Sequence, residues 1–207
     1  DPDNGVVLME RVLPGQPLAR LADDRHAMGI AVRVMQRIWR PLPPEHGFPD
    51  LTRWRRSLLD DEVRSFCSSR LPRAMLEEAA ALALDLIATQ EAPVLLHGDF
   101  HQWNILSSDR EGWLAIDPKG VAGEPAYEAG ALLRNPVPDV FARKDLPELT
   151  ARRLDQCAGL LDLDRQRLAG WSWVQAVLSA CWDVEEGVDD LEPFLQLVAV
   201  LDAARRR

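Results

Sequence analysis

Three side chains in one stretch of this 207-residue sequence have types and spacing suited to chemistry: Asp99, Asn104 five positions later, and Asp117 thirteen positions after that. Phosphoryl transfer calls for these types. A carboxylate must accept or orient the proton of an attacking hydroxyl. A hard cation such as Mg2+ wants oxygen ligands, which Asn104 and Asp117 can supply, and it then neutralises charge on the phosphate oxygens. Rival chemistries find less support. His97 and His101 are spaced i, i+4, but a metal pair at that spacing needs a helix, and Gly98 after a strand argues against one. No third soft ligand is evident, and no G-x-S-x-G elbow occurs for a hydrolase.

The surrounding elements follow from pattern. Pro93–His97 reads as a short strand. Asn104–Leu106 and Trp113–Ile116 read as two more, joined by a turn at Glu111-Gly112, so that Asn104 and Asp117 come to the same end of a hairpin. Val6–Val12 reads as a strand ended by Pro14-Gly15. Asp23 or Asp24 caps a helix that carries Met28, Val32, Met35 and Ile38 on one face. Prolines 41, 43, 44 and 49 make residues 40–50 a loop. Leu51, Trp54, Leu58, Val63 and Phe66 suggest a helix broken by Pro72, and residues 73–90 a third. From Tyr127 onward the pattern is helical, interrupted by Pro136, Pro138 and Pro147. Asp164 caps a long helix through Leu168, Trp171, Leu178 and Trp182, and Asp190 opens a last one. The tryptophans at helical spacing read as core, whereas Trp103 lies in the loop beside Asn104 and is placed to flank nucleotide or substrate. The class is α+β and mostly helical.

Composition bounds the rest. Hydrophobic residues make up 47% and charged residues 28%, as in an ordinary globular protein. A net charge of −9 disfavours nucleic acid as a partner. No apolar run is long enough to span a membrane, and the start has no secretion signal. Three widely spaced cysteines fit reduced thiols in a cytoplasmic protein.

The block His97-Gly98-Asp99-Phe100-His101-Gln102-Trp103-Asn104 resembles the H-G-D-x-H-x-x-N catalytic loop of the aminoglycoside phosphotransferase branch of the protein-kinase-like fold, and the gap to Asp117 matches as well. Ile116-Asp117-Pro118-Lys119-Gly120, then Gly123-Glu124-Pro125-Ala126-Tyr127-Glu128, is similar to the streptomycin 6-kinase and aminoglycoside/hydroxyurea kinase subgroup. The resemblance implies Asp99 as catalytic base, Asn104 and Asp117 as Mg2+ ligands, His97 as a buried brace and Glu128 as a support for the loop backbone. It implies ATP as phosphoryl donor, with Glu10 and Val12 offering main-chain groups to the adenine at a hinge. Lys119 reads as an exposed loop lysine. The glycine-rich loop and strand lysine of such kinases belong before the hinge and do not occur here. The expectation is therefore residues 1–15 as a hinge-strand remnant and residues 16–207 as the C-terminal catalytic and substrate lobe, with the ATP lobe largely absent.

Asp183, Glu185 and Glu186 crowd the end of a helix, where carboxylates oppose the dipole. Asp189 and Asp190 are read as caps. For the other three the resemblance implies a small, cationic, hydroxylated substrate of the aminoglycoside kind. The alternatives are another small hydroxylated metabolite, or a silent kinase-like binding module.

Overall fold

The structure, a computed structural model, describes residues 10–54, 58 and 60–207. Its strands are short and its helices long. Strand β1 (Pro14–Pro17) leads through a helical turn into α1 (Asp24–Ile38), and β2 (Arg40–Pro41) follows. Next come α2 (Leu51–Trp54), α3 (Asp61–Cys67) and α4 (Arg73–Ala88). The strand-rich centre holds β3 (Val94–Leu96), β4 (Ile105–Ser108), β5 (Gly112–Ala115) and β6 (Val121–Gly123). The rest is α5 (Pro125–Leu133), α6 (Leu146–Leu161), α7 (Arg165–Glu185) and α8 (Glu192–Arg205).

Two of the expected caps form, whereas α8 is entered through Leu191 with no side-chain cap, Asp190 Oδ1 accepting only from Glu192 N. The Asp23 carboxylate accepts from His26 N and the Asp164 carboxylate from Arg167 N, which satisfies otherwise orphaned amides. The expected helix over Leu51–Phe66 is instead split into α2 and α3. Asp60 caps α3 through Glu62 N and Val63 N, and Phe66 ends up exposed. The side chain of Trp54 lies outside what is described.

The first strand differs from expectation. Residues 6–9 of the expected Val6–Val12 strand lie outside the described residues, and residues 10–12 are not extended into a sheet. The strand begins at Pro14 and pairs antiparallel with β4 (Pro14 with Ser108, Pro17 with Leu106), while Gly15 takes a φ of +70°. Proline is tolerated here because β1 is an edge strand, where its missing N–H costs no ladder bond. The strands also divide into two sheets, β1-β4-β5 and β2-β3-β6. The unexpected β6 pairs with β3 and so fixes the strand that leads into His97.

Helix α7 is the spine of the helical part, packed against α4, α5 and α8. Leu168, Trp171, Trp173, Val177 and Cys181 along it are buried. Gly130 lets α5 approach α7 closely, since a Cβ there would lie 2.5 Å from Gln175 Nε2. A second apolar cluster joins α1 and α6 to the catalytic region through Met28, Val32, Met35, Phe100, Ile105 and Leu154. The site therefore rests on packed helices, while its reactive groups sit on loops.

Candidate active site

The loop after β3 is held from below by one carboxylate. Glu128, on α5, is buried, and its two oxygens accept from His97 N (2.6 Å) and Gly98 N (3.0 Å). Burial pushes its carboxyl up to about 7, against the pull of those two amides. Gly98 has a φ of +88°, and a Cβ on it would lie 2.7 Å from Val121 Cγ2, so the turn requires glycine.

His97 is buried edge-on to Phe100. Its Nδ1 accepts from Asp99 N at 3.3 Å, which leaves Nε2 to donate to Ile116 O at 2.8 Å. Desolvation lowers its pKa, in keeping with this neutral tautomer. One ring thus ties the loop carrying Asp99 to the strand end carrying Asp117. The His97 carbonyl accepts from Lys119 N (2.7 Å) and Gly120 N (3.1 Å), closing the same junction.

Asn104 and Asp117 lie at one end of the β4–β5 hairpin, where Ile105 pairs with Ala115 and Ile116 N donates to Asn104 O at 2.9 Å. Asn104 Nδ2 donates to Asp99 O at 3.0 Å, so the amide oxygen is the group left to meet a cation. Asp117 has a φ of +59°, a strained conformation for a residue with a side chain, and its carboxylate is 61% exposed. Two side-chain oxygens of this kind fit Mg2+, which takes its remaining ligands from phosphates and water. No cluster of three or more His, Cys, Asp or Glu side chains suited to a metal occurs among the described residues.

Burial pushes the Asp99 carboxyl up, but His101, Arg134 and Lys119 together outweigh it and hold it below the usual carboxylate range. Asp99 is therefore ionised at neutral pH and able to take a hydrogen bond from a hydroxyl. Its Oδ1 lies 3.6 Å from His101 Nε2, which in turn lies 3.3 Å from Asn104 Nδ2. Sequence reasoning gave His101 no role beyond metal binding. Lys119 is exposed, as expected, and what the sequence did not show is that its Nζ sits 2.7 Å from Asp117 Oδ2. A residue two positions on reaches back only because the chain turns left-handed at Asp117, which the sequence does not announce.

The structure does not gather the expected nucleotide residues at one point. Glu10 is exposed and pairs with Arg110 at 2.9 Å, and Leu13 O accepts from Asp109 N at 2.8 Å, both at the tip of the hairpin. Val12 lies in the same segment. Trp103 is at the base, donating to Val137 O at 3.0 Å with Arg20 over its ring. Strand β4 is four residues long, so tip and base are roughly 13 Å apart, about the reach of an extended nucleotide.

The three acids of α7 also separate. Asp183 and Glu186 are one turn apart and feel each other's charge, and the Arg134 guanidinium lies within electrostatic reach of both Asp183 and Asp99. Burial, then the charge of Glu186, pushes the Asp183 carboxyl up to about 6. Glu185 instead acts on Cys67 and Cys181, on a different side of α7.

Comparison with known proteins adds an independent observation. A family model for the aminoglycoside/hydroxyurea antibiotic resistance kinases matches residues 1–187. The chain is 32% identical over 195 residues to streptomycin 6-kinase of Streptomyces glaucescens, covering 93% of this chain and 63% of that protein. It is 30% identical over 206 residues to streptomycin 6-kinase of Streptomyces griseus, covering 98% and 66%. It is 32% identical over 191 residues to hydroxyurea phosphotransferase of Kitasatospora aureofaciens, covering 90% and 53%. The chain thus spans somewhat under two thirds of the length of these relatives.

Proposed function

The chain belongs to the aminoglycoside/hydroxyurea antibiotic resistance kinase family, and from that premise we propose that it supplies the catalytic lobe of an ATP-dependent phosphotransferase acting on a hydroxyl of a streptomycin-like aminoglycoside. The observation that carries the reading is the convergence of Asp99, Asn104 and Asp117. Asn104 hydrogen-bonds the Asp99 carbonyl at 3.0 Å, and the Asn104 carbonyl accepts from the residue before Asp117 at 2.9 Å.

In this reading Asp99 accepts a hydrogen bond from the acceptor hydroxyl and takes its proton as the oxygen bonds to the γ-phosphorus of ATP and the bond from that phosphorus to the β,γ-bridging oxygen breaks, with ADP as the leaving group. His97 and Glu128 fix the loop, so that Asp99 does not have to be ordered when substrate arrives. Asn104 and Asp117 are the residues that would hold Mg2+, which supplies neutralisation of phosphate charge. Lys119 keeps the Asp117 carboxylate oriented from 2.7 Å away and adds positive charge beside the phosphates. The hairpin tip, with Glu10 and Val12, is the adenine side. The Asp183 and Glu186 end of α7 is the substrate side, where net negative charge favours a cationic, polyhydroxylated molecule.

The experiment is a coupled assay of ADP release by the full-length protein with MgATP and streptomycin, then with hydroxyurea. Streptomycin-dependent turnover that Asp99→Asn abolishes is the expected result. Turnover with neither acceptor would sink the substrate assignment.

A further inference from the structure

The polar groups between α5 and α7 include a donor and an acceptor of opposite charge that are both left incomplete among the described residues. Arg134 follows the last turn of α5 and sends its guanidinium toward α7, where Nη1 lies 3.4 Å from Ser179 Oγ. Its Nε is buried and has no hydrogen-bond partner among the described residues. One turn further along α7, Asp183 Oδ2 is likewise buried and without a partner. Ser179 and Asp183 are i, i+4 and so share a helix face. Arg134 and Asp183 interact through their charges yet form no ion pair with each other among the described residues. A buried donor and a buried acceptor of opposite charge that are not joined are two unmet hydrogen-bonding valences, which a third group, water or ligand, would satisfy.

The chemistry of that group follows from the pair. A lone carboxylate at a helix end would select a cation. Here the orphans are one acceptor and one donor, and a cation, which brings donors alone, would satisfy Asp183 but leave Arg134 Nε unpartnered. A neutral group that both accepts and donates satisfies the two orphans together: its oxygen receives the Arg134 N–H, and its O–H or N–H donates to Asp183. Arg134 also acts electrostatically on Asp99, so its charge is shared between this pair and the proposed catalytic acid. The more exposed Glu186 remains as the carboxylate for a cationic part of the substrate.

We infer that Arg134, Ser179 and Asp183 form an acceptor subsite for a neutral hydroxyl or amide group of the substrate, with Asp183 acting as a hydrogen-bond acceptor and not as a counter-ion. The inference rests on the proposed phosphotransferase reading for its substrate arm and is independent of it for its stability arm. In the substrate arm, KM for streptomycin is compared for Asp183→Asn and Asp183→Ala. The asparagine keeps an acceptor oxygen, so its KM stays within about 3-fold of wild type, while alanine raises KM about 10-fold, the size of one lost hydrogen bond. Arg134→Gln raises the streptomycin KM and leaves that for ATP unchanged. Equal losses for Asn and Ala would show that the charge itself is what binds and would overturn the inference.

The stability arm needs no turnover. Two buried groups without partners burden the free protein, so the double variant Arg134→Met/Asp183→Leu melts at or above the wild-type temperature. A melting temperature several degrees lower would make the pair a structural brace and overturn the inference. Absence of streptomycin turnover by the wild type would remove the substrate assignment, while the melting experiment would still decide whether the pair is an open site.

Discussion

In the catalytic loop Glu128 takes the amides of His97 and Gly98, His97 bridges Asp99 and Ile116, and Asn104 holds the Asp99 carbonyl. At the end of α7, by contrast, a donor and an acceptor of opposite charge, Arg134 Nε and Asp183 Oδ2, are buried without partners among the described residues, whereas in the loop the atoms left so, His101 Nδ1 and Gln102 Oε1, belong to side chains held through their other nitrogen. Both regions carry charge, and both touch the same space around Asp99. The difference separates groups whose geometry is set before substrate arrives from groups that substrate completes. Substitutions in the loop are therefore expected to cost stability and rate together, and substitutions at the α7 end to cost affinity alone.

The largest effect is expected at Asp99. Its backbone bonds survive in Asp99→Asn, and its side chain reaches the protein through His101, 3.6 Å away, so the variant should melt close to wild type. Its kcat should fall by roughly 10²–10⁴-fold, the usual contribution of a general base. A large fall in melting temperature would instead place Asp99 in the scaffold. Glu128→Ala should be the reverse case. It strands two buried amides and costs about 2–4 kcal/mol in urea denaturation, with a lower kcat as the loop loosens. Asp183→Ala, which removes no protein partner, should change stability far less. Should the two variants destabilise equally, the contrast between the regions collapses.

Gly98→Ala sharpens the same contrast at smaller scale. A positive φ and a Cβ 2.7 Å from Val121 predict a loss of about 1–3 kcal/mol in the same denaturation assay. The last test is in pH. Glu128 is raised from an ordinary 4.5 to about 7, so between those values the folded state binds more proton than the unfolded one. Stability should thus fall as pH rises from about 4.5 to 7 and level off above that range. Asp183, raised from 3.8 to about 6, adds a fall of the same sign over its own range. Glu128→Gln should flatten the upper part of this slope and Asp183→Asn the lower part, as read from melting temperature against pH. A slope unchanged in both variants would remove these acids as its source.

Much of this was legible from residue types alone. The acid–amide–acid spacing, the hairpin joining Asn104 to Asp117, and the caps Asp23 and Asp164 all depend on local chemistry, and local chemistry is written in order along the chain. What was not legible depends on distance folded away. Strand β1 starts at Pro14 because β4 offers it an edge, not because of its own pattern. Lys119 meets Asp117 through a left-handed turn that an aspartate seldom adopts. Arg134 and Ser179 are 45 positions apart and come together only where Gly130 brings α5 against α7. The acidic run 183–186 looked uniform in sequence, but helical geometry sends Glu185 to another side from Asp183 and Glu186.

The central claim is that Asp99, Asn104 and Asp117 act as one centre. It is tested most directly by a double-mutant cycle in kcat/KM for Asp99→Asn and Asp117→Asn in the full-length protein, with melting temperature as the control for folding. Residues that act as a unit are strongly non-additive, so the double variant should be no slower than about the slower single variant. Losses that multiply, with the double variant slower by the product of the two single effects, would contradict a shared centre.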